Sequence, residues 1–163
     1  MVNDFCAFYA GIGSRQTPQA ICLFFSILAA WLEARGFVLR SGGAHGADTG
    51  FESGVVTQAN KTIYRPRAAT RAAIALAASF HPAWAACNEF AKRLHGRNAM
   101  IILGADLKTP VRFVVCWTPD EARGGTSLGI KIARANKIPV YNVYGKEDCL
   151  EYLYEELEML LAA

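Results

Sequence analysis

Apolar residues in this chain fall either in short unbroken runs or in longer stretches where they repeat every three or four positions, and polar, glycine-bearing turns separate the two. Unbroken runs of strand length suit strands covered on both faces, as in a parallel sheet, and the periodic stretches suit amphipathic helices. Phe5-Cys6-Ala7-Phe8-Tyr9-Ala10 is the first such strand. Gly11, Gly13, Ser14 and Arg15 then predict a turn, after which Thr17 supplies a helix N-cap and Pro18 an N1 proline. Ile21, Phe24, Ile27, Leu28, Trp31 and Leu32 recur at helical spacing until Gly36, with Trp31 and the phenylalanines read as core. Phe37 to Leu39 predicts a second strand, Ser41 to Asp48 a second turn, Thr49 to Ala59 a helix, and Lys61 to Tyr64 a short third strand.

The second half repeats the alternation. Ala69 to Leu94 is alanine-rich and helical with a break at His81-Pro82, and Cys87, Phe90 and Leu94 suit its apolar face. His95-Gly96-Arg97-Asn98 interrupts that pattern. The following run, Ala99 to Leu103, is too short for periodicity to separate strand from buried helix, and its type stays open. After a loop over Gly104 to Pro110, Val111 to Trp117 predicts a central strand. A polar loop then leads to Arg123-Gly124-Gly125-Thr126, where Thr126 or Ser127 caps a helix ending near Asn136. Ile138 to Val143 is the last strand, and Asp148 to Leu161 a closing helix with Leu150, Leu153, Leu157 and Leu160 on one stripe. Strands alternating with helices give one α/β domain over residues 1–163 with a mainly parallel sheet.

Three glycine-bearing turns follow strands in this scheme. Glycines let the backbone approach a ligand, and the helix starts beyond them offer free N–H groups and partial positive charge. Ligands of open α/β sheets bind beyond the carboxyl ends of the strands, where strand order reverses, so all three turns can reach one pocket. A nucleotide, a nucleotide-derived signal or a single-stranded DNA end, held by its phosphates, is the leading ligand class.

Bulk properties narrow this picture modestly. A chain of 163 residues, 53% of them hydrophobic, carries one proper core. A net charge of +3 neither demands a nucleic-acid partner nor excludes one. The five cysteines, Cys6, Cys22, Cys87, Cys116 and Cys149, are widely spaced without a C-x-x-C pair and read as free thiols in a reducing compartment. With neither a signal-peptide pattern nor an apolar run of membrane length, the expectation is a soluble cytoplasmic protein without a membrane partner. Exposed apolar helices such as the alanine-rich segment favour a homo-oligomer. No cofactor is called for, and His45, His81 and His95 lack the spacing of metal ligands.

Most of the candidate site residues have a functional reading and a structural one. Arg15 is placed to pair with a phosphate through its guanidinium fork, or to form a surface salt bridge with Asp48. Ser41, Gly42, Gly43 and Gly46 give close ligand approach or simply make the turn. Asp48 accepts from a ribose hydroxyl, orients Arg15, or stabilises its own helix. Arg97 and Asn98 contact a phosphate or cap a helix. Gly124, Gly125 and Thr126 offer donors of the kind that cradle phosphate, and Trp117 stacks on a base or packs in the core. Glu52 and Glu121, with Asp120, are the carboxylates nearest the expected pocket. Glu52 and Glu121 are the candidate acid and base should a glycosidic bond be cleaved.

Taken in order, Ala10-Gly11-Ile12-Gly13-Ser14-Arg15, Ser41-Gly42-Gly43-Ala44-His45-Gly46-Ala47-Asp48, Arg97-Asn98 before an apolar run, and Gly124-Gly125-Thr126 resemble the Rossmann-like core of the DNA-processing protein A (Smf) family. They also resemble the wider superfamily that joins it to the lysine decarboxylase-like LOG proteins, with short phage and prophage proteins most similar. The resemblance implies a Rossmann-like three-layer fold. Its DNA-processing branch implies binding of single-stranded DNA through a basic pocket, and its LOG branch implies cleavage of the N-glycosidic bond of nucleoside 5′-monophosphates. His95-Gly96-Arg97-Asn98-Ala99-Met100 is similar to the LOG motif whose arginine contacts substrate. The LOG glycine motif continues into a catalytic glutamate, whereas here Gly125-Thr126 is followed by Ser127-Leu128-Gly129-Ile130, with no carboxylate.

Overall fold

A computed structural model describes residues 7–163. The expected strand residues Phe5 and Cys6 lie outside the described residues. Five strands, β1 (Ala7–Gly13), β2 (Phe37–Ser41), β3 (Lys61–Ile63), β4 (Val114–Trp117) and β5 (Val140–Asn142), form one sheet in the order β3-β2-β1-β4-β5. Every pairing is parallel, with Ala7 against Phe37 and Ala10 against both Arg40 and Val114. The sequence direction of the order reverses between β1 and β4, so the crevice beyond Gly13 and Trp117 is the topological switch point.

Side-chain alternation along the strands divides the core in two. Tyr9, Leu39, Phe113, Val115 and Trp117 pack with α1 (Gln19–Glu33), α2 (Ala47–Gly54) and α6 (Glu151–Ala162) on one face. Ala10, Ile12, Val114 and Cys116 pack with α3 (Arg71–Phe80), α4 (Glu89–Leu103) and α5 (Gly124–Ala135) on the other. Helices on both faces of a parallel sheet make the Rossmann-like three-layer α/β architecture. The four described cysteines, Cys22, Cys87, Cys116 and Cys149, are free thiols. Among the described residues no helix is long and apolar enough to cross a membrane.

Several boundaries move from their sequence expectation, each for a physical reason. β1 continues through Gly11 and Gly13, which pair with Val115 and Trp117 rather than forming a turn. A Cβ on Gly11 would meet the Phe51 ring, and one on Gly13 the Ala47 methyl and Trp117 carbonyl, so glycine is required here by packing. Thr17 does not cap α1; its hydroxyl donates to the Ser14 carbonyl at 2.6 Å. α2 stops at Gly54, which packs against the backbone of Ser26, and Ser41 ends β2 with its hydroxyl donating to the Gly11 carbonyl.

The largest change is at residues 95–103. His95-Gly96-Arg97-Asn98 does not interrupt the helix; α4 runs unbroken from its Asn88 side-chain cap to Gly104, and Ala99 to Leu103 is its buried last turn. Gly96 is needed inside the helix because a Cβ there would press on Ile74 of α3. Phe90, expected on the packed face of this helix, is instead 63% exposed. Neither Thr126 nor Ser127 caps α5, which begins at Gly124 after an extended Arg123.

Candidate functional site

The switch point opens into a cleft of about 430 Å³. Its size is that of a small-molecule site. The end of β1 contributes Gly13, Ser14 and Arg15, the start of α2 contributes Asp48, α4 contributes Arg97 and Asn98, and the first turn of α5 contributes Gly124, Gly125 and Thr126. Nine of the expected residues therefore meet in one place from four separate stretches of chain.

Arg97 is the pivot. It is 6% exposed, and its Nη1 donates to the carbonyls of Gly42 and, at 3.0 Å, Tyr64. Its Nε is buried with no hydrogen-bond partner among the described residues. A buried guanidinium N–H without an acceptor is costly to the fold. Gly42 is the residue that admits this arrangement, because a Cβ on it would collide with the Arg97 guanidinium and lie 2.9 Å from Asp48 Oδ2.

Among the described residues Asp48 is the only carboxylate lining the cleft. The backbone N–H groups of Gly42 and Ala44 donate to its Oδ2 at 3.2 and 3.3 Å. Burial raises its pKa to about 6, against the opposing pull of Arg97 and of the N–H groups of Ala44, Gly42 and Gly13. A carboxyl group titrating near neutral pH inside a cleft can hold or release a proton in use.

The expected Arg15 to Asp48 salt bridge is absent among the described residues. Arg15 and Arg123 are exposed at the rim, and neither side chain is hydrogen-bonded or ion-paired within the described residues. The first turn of α5 adds unpaired backbone N–H groups and its positive dipole end. Asn98 steadies that turn, its Nδ2 donating to the Gly125 carbonyl at 3.1 Å. The cleft thus presents three guanidinium groups, one helix N-terminus and one carboxyl group.

The remaining expected residues lie outside the cleft lining. Gly11 lies beneath Phe51, and Gly46, at φ 96°, begins α2 against the Ser14 carbonyl, where a side chain would be strained and obstructed. Gly43 faces the Arg65 guanidinium, whose Nη1 donates to its carbonyl at 3.1 Å. Trp117 is buried, with its indole N–H donating to Glu147 at 2.9 Å. Glu52 sits in α2, and Glu121 is bound to Arg134 at 2.7 Å and to Asn142 at 3.0 Å. The sequence reading omitted Arg123, Gln16 and Thr118 from the site. Arg123 was findable as a cation directly before a glycine pair at a helix start; Thr118 had no distinguishing signal.

No protein-family model, no curated protein and no solved structure matches the chain.

Proposed function

We propose that the cleft binds a nucleotide or nucleotide-derived ligand by its phosphate. The observation that carries this reading is Arg97, a buried guanidinium lining a cleft that Arg15 and Arg123 also line, with its Nε and both of those side chains unpartnered among the described residues. Planar guanidinium forks and helix N-termini both favour phosphate oxygens, and apolar Ile12, Leu94 and Ile101 on the cleft wall suit a base or sugar face. The resemblance to the DNA-processing A and LOG superfamily supports the same ligand class. A strand end of single-stranded DNA is a variant of this reading. It is supported by exposed Phe90 lying among Arg65, Arg67 and Arg93 in a neighbouring groove, since aromatic faces and cations together hold single strands.

The test is a thermal-shift screen of the purified chain against nucleoside mono-, di- and triphosphates, cyclic nucleotides and short single-stranded DNA. A ligand that binds the folded state raises the melting temperature. The expected result is a rise with at least one of these classes that the Arg15→Ala, Arg123→Ala double variant loses. A flat response across the whole panel would overturn the reading.

Asp48 favours a second reading, hydrolysis of a nucleotide N-glycosidic bond. Its raised pKa and its place in the cleft suit a proton carrier for a departing base, a role that Glu52 and Glu121 are not placed to fill from outside the cleft lining. Free base appearing from a nucleoside monophosphate, and abolished in Asp48→Asn, is the expected signature. Intact nucleotide after prolonged incubation would leave binding alone.

A further inference from the structure

The connection between α3 and α4 brings together three side chains that carry metal-binding atoms, outside the lining of the cleft. His81 follows α3, Cys87 follows the 3-10 turn at Trp84–Ala86, and His95 lies within α4. One donor atom from each lies within 4.8 Å of the other two. Cys87 Sγ is 3.8 Å from His81 Nε2 and 3.9 Å from His81 Nδ1, and the two imidazole centroids are 4.6 Å apart. His95 Nδ1 is buried, with no hydrogen-bond partner among the described residues. A buried nitrogen without a partner, on a ring 4.6 Å from a second imidazole, is a second observation that points to a bound group.

We propose that His81, Cys87 and His95 form a binding site for one borderline-soft divalent cation, with zinc as the probe. The imidazole and thiolate donor set is the one such ions select. Bond lengths of about 2.0 Å to nitrogen and 2.3 Å to sulfur place tetrahedral donors about 3.3–3.7 Å apart, so the site closes by roughly 1 Å on loading. All three residues are half-buried, which leaves room for that rotation. The Ala83 N–H donates to His81 Nδ1 at 3.1 Å, which leaves His81 Nε2, 3.8 Å from Cys87 Sγ, as the nitrogen free of a backbone contact. The Cys87 thiol gives its proton to solvent as sulfur binds the ion, so one proton is released for each metal bound.

Three protein ligands leave a tetrahedral ion one open position, as in catalytic rather than structural zinc sites. His81 also lines a hollow of about 200 Å³ with Arg123, Gly124, Ser127 and Lys131. Arg123 and Gly124 belong to the rim of the main cleft as well, so a loaded site would add positive charge beside that rim. The alternative is aromatic packing alone, since Trp84 lies 5.8 Å from the His81 ring and 6.2 Å from the His95 ring.

Titration of the metal-stripped full chain with zinc, in competition with a chromogenic chelator, decides between them. The expected result is one equivalent bound, with affinity reduced at least about tenfold in Cys87→Ser and in His95→Gln, because each removes one of three ligands. Cobalt should give a thiolate charge-transfer band that Cys87→Ser lacks. Absence of stoichiometric binding, or a cobalt thiolate band that persists in Cys87→Ser, would overturn the proposal. In the unaltered protein, zinc should slow alkylation of Cys87 while leaving that of the exposed Cys149 unchanged. Equal Cys87 rates with and without zinc would overturn it without reliance on any variant.

Discussion

Asp48 and Glu121 both stand beyond the carboxyl ends of strands on the same edge of the sheet, yet their charges are handled in opposite ways. Glu121 is held by Arg134 at 2.7 Å and by Asn142 at 3.0 Å. Burial pushes its pKa up, but these two partners outweigh burial and leave it below the usual carboxylate range. Asp48 is 5% exposed and has no ion-pair partner among the described residues, and burial dominates its titration. Arg134 and Arg97 differ likewise: the first is spent on Glu121, and the second keeps a buried Nε unpartnered. A charge satisfied within the fold is explained by the fold. One left open inside a cleft is the feature the proposed ligand would answer.

Breaking the open side of this comparison should have the largest effect. Arg97→Leu leaves the Gly42 and Tyr64 carbonyls without their donor and Asp48 without its nearby cation. A loss of about 3–5 kcal/mol in denaturant unfolding is expected, together with loss of any nucleotide-induced thermal shift. A destabilisation below 1 kcal/mol, on the order of a surface change, would contradict the picture of Arg97 as a buried, bonded charge.

Asp48→Asn sharpens the comparison through pH. The folded-state pKa of Asp48, about 6, lies above an unfolded value of about 3.9. Its contribution to stability is therefore fully present below about pH 4 and is lost as pH rises through 6, a decline of about 3 kcal/mol. Asparagine cannot ionise, so the variant should gain that amount on the unaltered protein between about pH 4 and pH 7.5. Parallel stability curves across this range would show that Asp48 ionises without penalty.

Smaller effects follow for the supporting residues. Gly42→Ala forces the Arg97 guanidinium aside and should cost about 1–2 kcal/mol, while the thermal shift with ligand is lost. Binding that survives this change would detach Arg97 from the ligand. Glu121→Gln removes a partly exposed ion pair and should cost less than about 1 kcal/mol, with ligand response unchanged. Loss of ligand response in that variant would erase the distinction between the two carboxylates.

The architecture was legible because β1, β2 and β4 are built on unbroken apolar runs and most helices keep their buried faces apolar. α4 was the exception, and its failure is instructive. Its buried face carries Gly96, Arg97 and Asn98, so the apolar period vanishes at the turn that faces the cleft. The residues that hid the helix are the residues that build the site. The glycine turns were visible as motifs, but which glycines line the cleft was not. Gly11, Gly42 and Gly46 answer to Phe51, Arg97 and the Ser14 carbonyl, all contacts made across the fold rather than along the chain. Glu52 and Glu121 drew attention by being near the motifs in sequence, whereas Asp48 is the carboxylate set into the cleft by the start of α2. His81, Cys87 and His95 have no recognised ligand spacing; only the fold of the α3 to α4 connection shows them together.

The strand order also has a consequence in time. β1, β2 and β3 are near one another in the chain, whereas Ala10 must wait for Val114 before the sheet is joined at its centre. Closing so long a loop is an entropic cost met before the contact returns anything, so the two halves of the sheet are expected to meet late in folding. The cleft is the seam of that meeting. Its ligand would then recognise a finished molecule, and during synthesis a chain cut short of β4 would carry Arg15, Asp48 and Arg97 with no cleft to hold them.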